Sequence, residues 1–210
     1  MLKAKLSKLA QRTAGSDRLM RMGDMLREER GAAAIEFAFI VPFMCFLYFG
    51  LIDVTGLISL NRRVVSSAST MADLVGQQKA NTFQSVINDQ YNAVYVIMQP
   101  VTAANVRIEV YDYRKVSGTI TQIWKTGNGQ GPSCGSAPDT STMASLMTAG
   151  NDLIVARACT TYTPTVVSFL GVNILGSTSF NIRQAISVRP RSTLTLNCYA
   201  TTVAAGTMCS

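Results

Sequence analysis

The chemistry of this sequence is concentrated in seven consecutive residues, Gly31-Ala32-Ala33-Ala34-Ile35-Glu36-Phe37. A carboxylate at the start of an apolar run costs about 2.5–3.5 kcal/mol near a bilayer centre and less toward an interface, so it calls for a cationic partner. Hydrolysis of the Gly31–Ala32 peptide bond would supply one. The new α-amino group would stand at position one and Glu36 at position five, which are i and i+4 on one helix face. They would be within reach of each other, or of the same groups on a neighbouring subunit. Glycine suits such a cut because its backbone, lacking Cβ, is uncrowded and extends freely. If the chain stays whole, Arg27 or Arg30 is the alternative partner of Glu36.

Other chemistries are poorly supplied. The chain has no histidine, which removes Ser-His and Cys-His nucleophiles, histidine metal ligation and histidine pH switching together. The Gly-rich stretch at 127–131 is not closed by Gly-Lys-Ser/Thr, so it is no phosphate-binding loop. No carboxylate cluster stands out, and no enzyme activity, metal or cofactor is expected. Of five cysteines, Cys45 lies in the apolar run, while Cys134, Cys159, Cys198 and Cys209 lie downstream without the C-x-x-C spacing of a zinc site. In an oxidising compartment those four read as two disulfides with three possible connectivities. Local pairing would join Cys198 to Cys209 and Cys134 to Cys159.

The elements that must position the 31–37 segment follow from charge and hydropathy. Eight of the 19 basic residues fall in the first 30 positions. Beyond Arg63 the cations are scattered without aromatic interleaving, which argues for a membrane surface and against nucleic acid. Between Glu36 and Asp53 lie 16 uncharged residues, roughly 24 Å of helix, and the flanking apolar residues bring it to the 30 Å of a hydrocarbon core. The basic leader keeps the N-terminus cytoplasmic by the positive-inside rule, although Arg62 and Arg63 oppose it weakly. The leader's acidic residues and the absence of an A-x-A site after the apolar run argue against an ordinary secretory signal. Pro42 removes the hydrogen bond to residue 38 and is expected to bend the helix. Asp53, about 25 Å along the helix from Glu36, falls at the outer interface.

A glycine followed by four small or apolar residues, a glutamate and an aromatic, all opening an apolar helix, resembles the type IV prepilin pattern. The run from Arg30 through Pro42, RGAAAIEFAFIVP, resembles more narrowly the TadE family of Tad (Flp) pilus systems. Glu29-Arg30 departs from the paired arginines of many members. Gly50 with Asp53, and the later Val188-Arg189-Pro190-Arg191, are also similar to family positions, and the likeness is good over roughly residues 26–75. The resemblance implies that a prepilin peptidase removes the leader after Gly31, leaving Ala32 as the N-terminus, with Glu36 and Phe37 used in recognition and assembly.

Downstream, residues 57–75 place Leu57, Leu60, Val64, Ala68, Met71 and Val75 at helical spacing, opposite Asn61, Arg62, Ser66, Ser69, Asp73 and Gln77. Asn81 and Gln84 suggest a capping box for a second helix carrying Phe83, Ile87, Tyr91, Val94 and Met98 up to Pro100. The period then changes to two over 105–113, and Ser117-Gly118 turns into a second strand over 119–125. Residues 127–141 read as a loop tied down by Cys134. Further strands are expected over 153–162 and 179–188, with an apolar helix or edge over 165–175 between them.

The expected fold is therefore α+β. A long N-terminal transmembrane helix continues as an amphipathic helix, packed on a small antiparallel, disulfide-stabilised sheet in a pilin-like plan. The expected division is a cytoplasmic leader over 1–31, a transmembrane helix over 32–60, an amphipathic helical region over 61–100 and a periplasmic β-rich head over 101–210. Taken with the resemblance, this implies a minor pseudopilin of a Tad pilus system, needed for pilus biogenesis and surface adhesion, since major Flp pilins are far smaller and nearly all helix. Its partners would be the prepilin peptidase, the major Flp pilin, other Tad minor pseudopilins and the inner-membrane assembly platform. The competing expectation is a periplasmic binding module on an uncleaved anchor.

Overall fold

The computed structural model describes residues 30–164, 179–191, 195–201 and 208–209. The chain divides into two compact units, Met1–Ile52 and Asp53–Ser210. In the first, the described residues all belong to helix α1 (Arg30–Gly76), which continues into the second and contains Pro42. Residues 1–29 of the leader expected over 1–31, and the apolar element expected over 165–175, lie outside the described residues.

In the second unit, α1 shows why its spacing was amphipathic. Val64, Ala68, Met71, Ala72 and Val75 are wholly buried, and Leu60 is nearly so. Burying each large apolar side chain contributes about 1.5–3 kcal/mol. Ser67, polar but on the buried face, donates its hydroxyl to the Val64 carbonyl at 2.9 Å, so no polar atom is stranded there. Helix α2 (Gln84–Met98) buries Ile87, Gln90, Tyr91, Val94 and Met98 on its own inward stripe.

The expected capping box does not form. Asn81 belongs to a short strand, β1 (Asn81–Phe83), which pairs in parallel with β6 (Asn197–Tyr199). Phe83 becomes the N-cap without a side-chain bond, and the Gln84 amide donates instead to Thr126 at 2.8 Å. A strand partner more than a hundred residues away outcompeted the local cap.

Strands β2 (Val106–Val116), β3 (Thr119–Asn128), β4 (Asp152–Tyr162) and β5 (Phe180–Val188) form one antiparallel sheet in the order β3-β2-β4-β5. Ser117 (φ 50°) and Gly118 (φ 87°) both adopt left-handed backbone, the geometry of a two-residue hairpin turn. The central strands β2 and β4 are covered on both faces. On one face Val106, Ile108, Val110, Ile154, Ala156 and Ala158 join the helices and Trp124 in the main core. On the other, Tyr111, Tyr113, Leu153 and Val155 pack with Met143 and Met147, which lie in the excursion between β3 and β4. That excursion includes one helical turn, α3 (Thr140–Met143), capped by the Asp139 side chain.

Cations of the sheet, and Arg189 just beyond β5, strap the excursion down. Arg107 donates to the Gly131 carbonyl at 3.2 Å. Arg157 reaches the carbonyls of Ser136, at 2.6 Å, and Cys134. Lys115 reaches those of Ala144 and Met147, each at 3.4 Å. Arg189 binds the Leu146 carbonyl. Two disulfides complete the fixation, Cys134–Cys159 and Cys198–Cys209, the local pairing. The α+β class is as expected: a long apolar N-terminal helix, a small antiparallel sheet and two disulfides.

Candidate functional site

Gly31 and Ala32 lie in the first turn of α1, which begins at Arg30. The scissile bond of the expected cut is therefore helical in the whole chain, not extended. First-turn residues lack the full set of intrahelical hydrogen bonds and fray readily, so extension there requires opening one turn. No acidic residue occupies that first turn, so Glu36, one turn further on, is the first carboxylate of the helix.

Glu36 and Phe37 are both exposed, Phe37 at 67%. Among the described residues Glu36 has no ion-pair or hydrogen-bond partner. It stands in a field of uncovered apolar side chains that includes Ile35, Phe39, Ile40, Phe43, Phe46 and Phe49. So wide an apolar face marks a surface meant for lipid or another protein. Ala34–Gly76 is long and apolar enough to cross a membrane, with mean hydropathy 2.1 in its most apolar window. None of that window is buried within the protein, which separates it from the core helix of a soluble domain. Cys45 in the same stretch is free and exposed. Pro42 sits inside the continuous helix, where its missing N–H removes one ladder bond.

Two residues without a reading in the sequence, Gly56 and Tyr162, and others whose contacts it did not show hold the second unit together at α1. The Tyr162 hydroxyl donates to the Asp53 carbonyl at 2.7 Å, and a Cβ on Gly56 would come 2.9 Å from that hydroxyl. Gly56 is thus the gap into which the tyrosine fits. At the other end Arg191 donates its backbone N–H to the Gly76 carbonyl at 2.8 Å and its guanidinium to Asp73 at 2.5 Å. The Val188-Arg189-Pro190-Arg191 segment therefore has a structural use: Arg191 caps the C-terminus of α1 and Arg189 the end of the excursion.

Candidate chemistry elsewhere is sparse. Among the described residues no three of His, Cys, Asp and Glu converge as metal ligands would. Two open grooves flank the 127–132 loop, one of about 710 Å³ lined by Pro100, Thr102, Asn105 and Gln130, the other of about 520 Å³ lined by Arg107, Tyr111, Lys125 and Asn128. The second also carries Glu109, whose carboxylate accepts the Tyr111 hydroxyl at 3.0 Å.

These features define an α+β protein with, among the described residues, one exposed apolar helix long enough to cross a membrane, consistent with a single-pass membrane anchor. Within that class, residues 31–73 of the chain match the family described as TadE-like protein. The match opens on Gly31 and ends at Asp73, so it covers all but the ends of α1 and none of the sheet. No curated protein and no solved structure matches the chain.

Proposed function

We propose that this chain is a minor pseudopilin of a Tad (Flp) pilus system. The observation that carries the reading is the lone exposed Glu36, four positions after Ala32 on an uncovered apolar helix, inside a TadE-like match that opens on Gly31. A prepilin peptidase on the cytoplasmic side cuts between Gly31 and Ala32. The protein is the substrate of that reaction and performs no catalysis of its own. The helix then stays in the bacterial inner membrane with residues 101–210 in the periplasm.

Once cut, the α-amine of Ala32 and the Glu36 carboxylate are two charges that lipid disfavours and that neutralise each other. A buried pair gains most when both charges find a partner together, so packing against a neighbouring pilin helix is favoured over remaining alone in lipid. The major Flp pilin, other minor pseudopilins and the assembly platform supply such neighbours, and pilus biogenesis and surface adhesion follow from that assembly.

One observation favours an uncleaved anchor: α1 runs unbroken through Gly31. Determining the N-terminus of the protein from cells with an active prepilin peptidase separates the two. Ala32 at the N-terminus supports the pseudopilin reading, and a retained leader overturns it.

A further inference from the structure

The main core contains a carboxyl group that no described residue satisfies. Asp112 lies on the same face of β2 as Ile108 and Val110, wholly buried, and neither of its oxygens has a hydrogen-bond partner among the described residues. Its cross-strand neighbours are Trp124 on β3 and Ile154 on β4, both uncharged. Two charged groups act on it, Asp152 from β4 and Arg114 from its own strand.

Those two are already committed to each other and to β6. Arg114 donates to both oxygens of Asp152, at 2.5 and 2.9 Å. The same carboxylate accepts the backbone N–H of Leu196 at 2.5 Å, and Arg114 reaches the Asn197 side chain at 3.4 Å. Trp124 adds a bond from its indole to the Leu196 carbonyl at 3.1 Å. Leu196, Asn197 and the disulfide-bonded Cys198 are thereby clasped to the sheet.

We propose that Asp112 holds a proton in the folded head, and that losing it loosens the clasp by which Asp152 and Arg114 hold β6. An ionised, unpartnered carboxylate in a core is too costly to keep, and two carboxylates with one guanidinium already paired are too few oxygens for a hard cation. A proton is the remaining neutraliser. When it leaves, the new charge repels Asp152 and competes for Arg114, and both effects weaken the hold on Leu196 and Asn197.

The direction of the pH effect follows. Burial first, then Asp152, pushes the Asp112 carboxyl up to about 8, whereas in opened or unfolded chain it returns to about 3.9. A group raised in the folded state contributes stability that is fully present below pH 4 and is lost as pH rises toward 8. In that window closure of the clasp weakens about tenfold per pH unit. The chain has no histidine, so between about pH 5.5 and 7 no unshifted side chain titrates to obscure the effect.

The test is hydrogen exchange of the full chain in detergent micelles, following the amides of Leu196, Asn197 and Cys198 and correcting for intrinsic exchange. The wild type is expected to lose protection about tenfold per pH unit over that range, and Asp112→Asn, which cannot ionise, to show no such slope. A flat wild type, or the same slope in Asp112→Asn, overturns the proposal. Infrared spectroscopy of the wild type needs no variant. A protonated-carboxyl carbonyl band should be present at pH 6 and gone by about pH 9, and its absence at pH 6 also overturns it.

Discussion

Replacing Gly129 by alanine tests how the excursion between β3 and β4 is seated, because the structure separates its cost into two parts. Gly129 has φ +101°, and a Cβ there would lie 2.0 Å from the Val106 carbonyl oxygen and 2.8 Å from the Tyr95 hydroxyl. The backbone conformation costs an L-residue about 1–2 kcal/mol. The clash is with backbone at the start of β2, which cannot swing away as a flexible side chain would, and overpacking of this kind adds about 1–3 kcal/mol. The sum is about 2–5 kcal/mol. Gly118 and Gly150 provide the control, since each has positive φ, +87° and +83°, but nothing within 4 Å of a Cβ. Alanine there should cost only the conformational part. Trp124 is the single tryptophan of the chain and is buried at 2% exposure, so its fluorescence during urea unfolding of the full chain in detergent reports on this head directly. If Gly129→Ala costs no more than Gly118→Ala, the close approach to β2 is not what glycine serves there, and the reasoning fails.

Two further expectations concern the disulfides and the carboxylate. Cys134–Cys159 closes 25 residues and Cys198–Cys209 closes 11, so in the chain-entropy account their loss costs roughly 3.5 and roughly 3 kcal/mol respectively. Cys134→Ser/Cys159→Ser should therefore lower the urea midpoint at least as much as Cys198→Ser/Cys209→Ser, and the reverse order would contradict it. Glu36→Gln should leave leader removal intact but reduce co-purification with the major pilin by about tenfold or more, the effect of losing one charge-assisted contact of about 1.5–3 kcal/mol. Unchanged recovery from sheared pili would show that Glu36 is dispensable for assembly.

Much of the fold could be read in advance because its signals are local. The 57–75 stripe named Leu57, Leu60, Val64, Ala68, Met71 and Val75, and all are buried except Leu57, which is half-buried. The Ser117-Gly118 turn and the alternation before it likewise located the hairpin. What could not be read depends on partners distant in the chain. Asn81 has the composition of a cap, yet it pairs with Asn197. Arg107, Lys115 and Arg157 looked like scattered surface cations, but their partners are carbonyls some twenty to thirty residues away. Asp112 did carry a signal, since it continues the even-numbered buried run of Val106, Ile108 and Val110. Its consequence became visible only when the register set it beside Ile154 and brought Asp152 opposite Arg114. For the candidate site, the glycine, the glutamate and the apolar helix were all evident in residues 31–60, while the helical state of the Gly31–Ala32 bond was not.

The central claim is that a peptidase converts this chain into a pilus subunit by exposing the amine of Ala32 to Glu36. Mass spectrometry of the protein purified from cells with an active prepilin peptidase tests it most directly. The account predicts an N-terminus at Ala32, and a leader retained when Gly31→Ala blocks the cut. A wild-type protein that keeps Met1 in those cells, or a Gly31→Ala protein trimmed as efficiently as wild type, would contradict it.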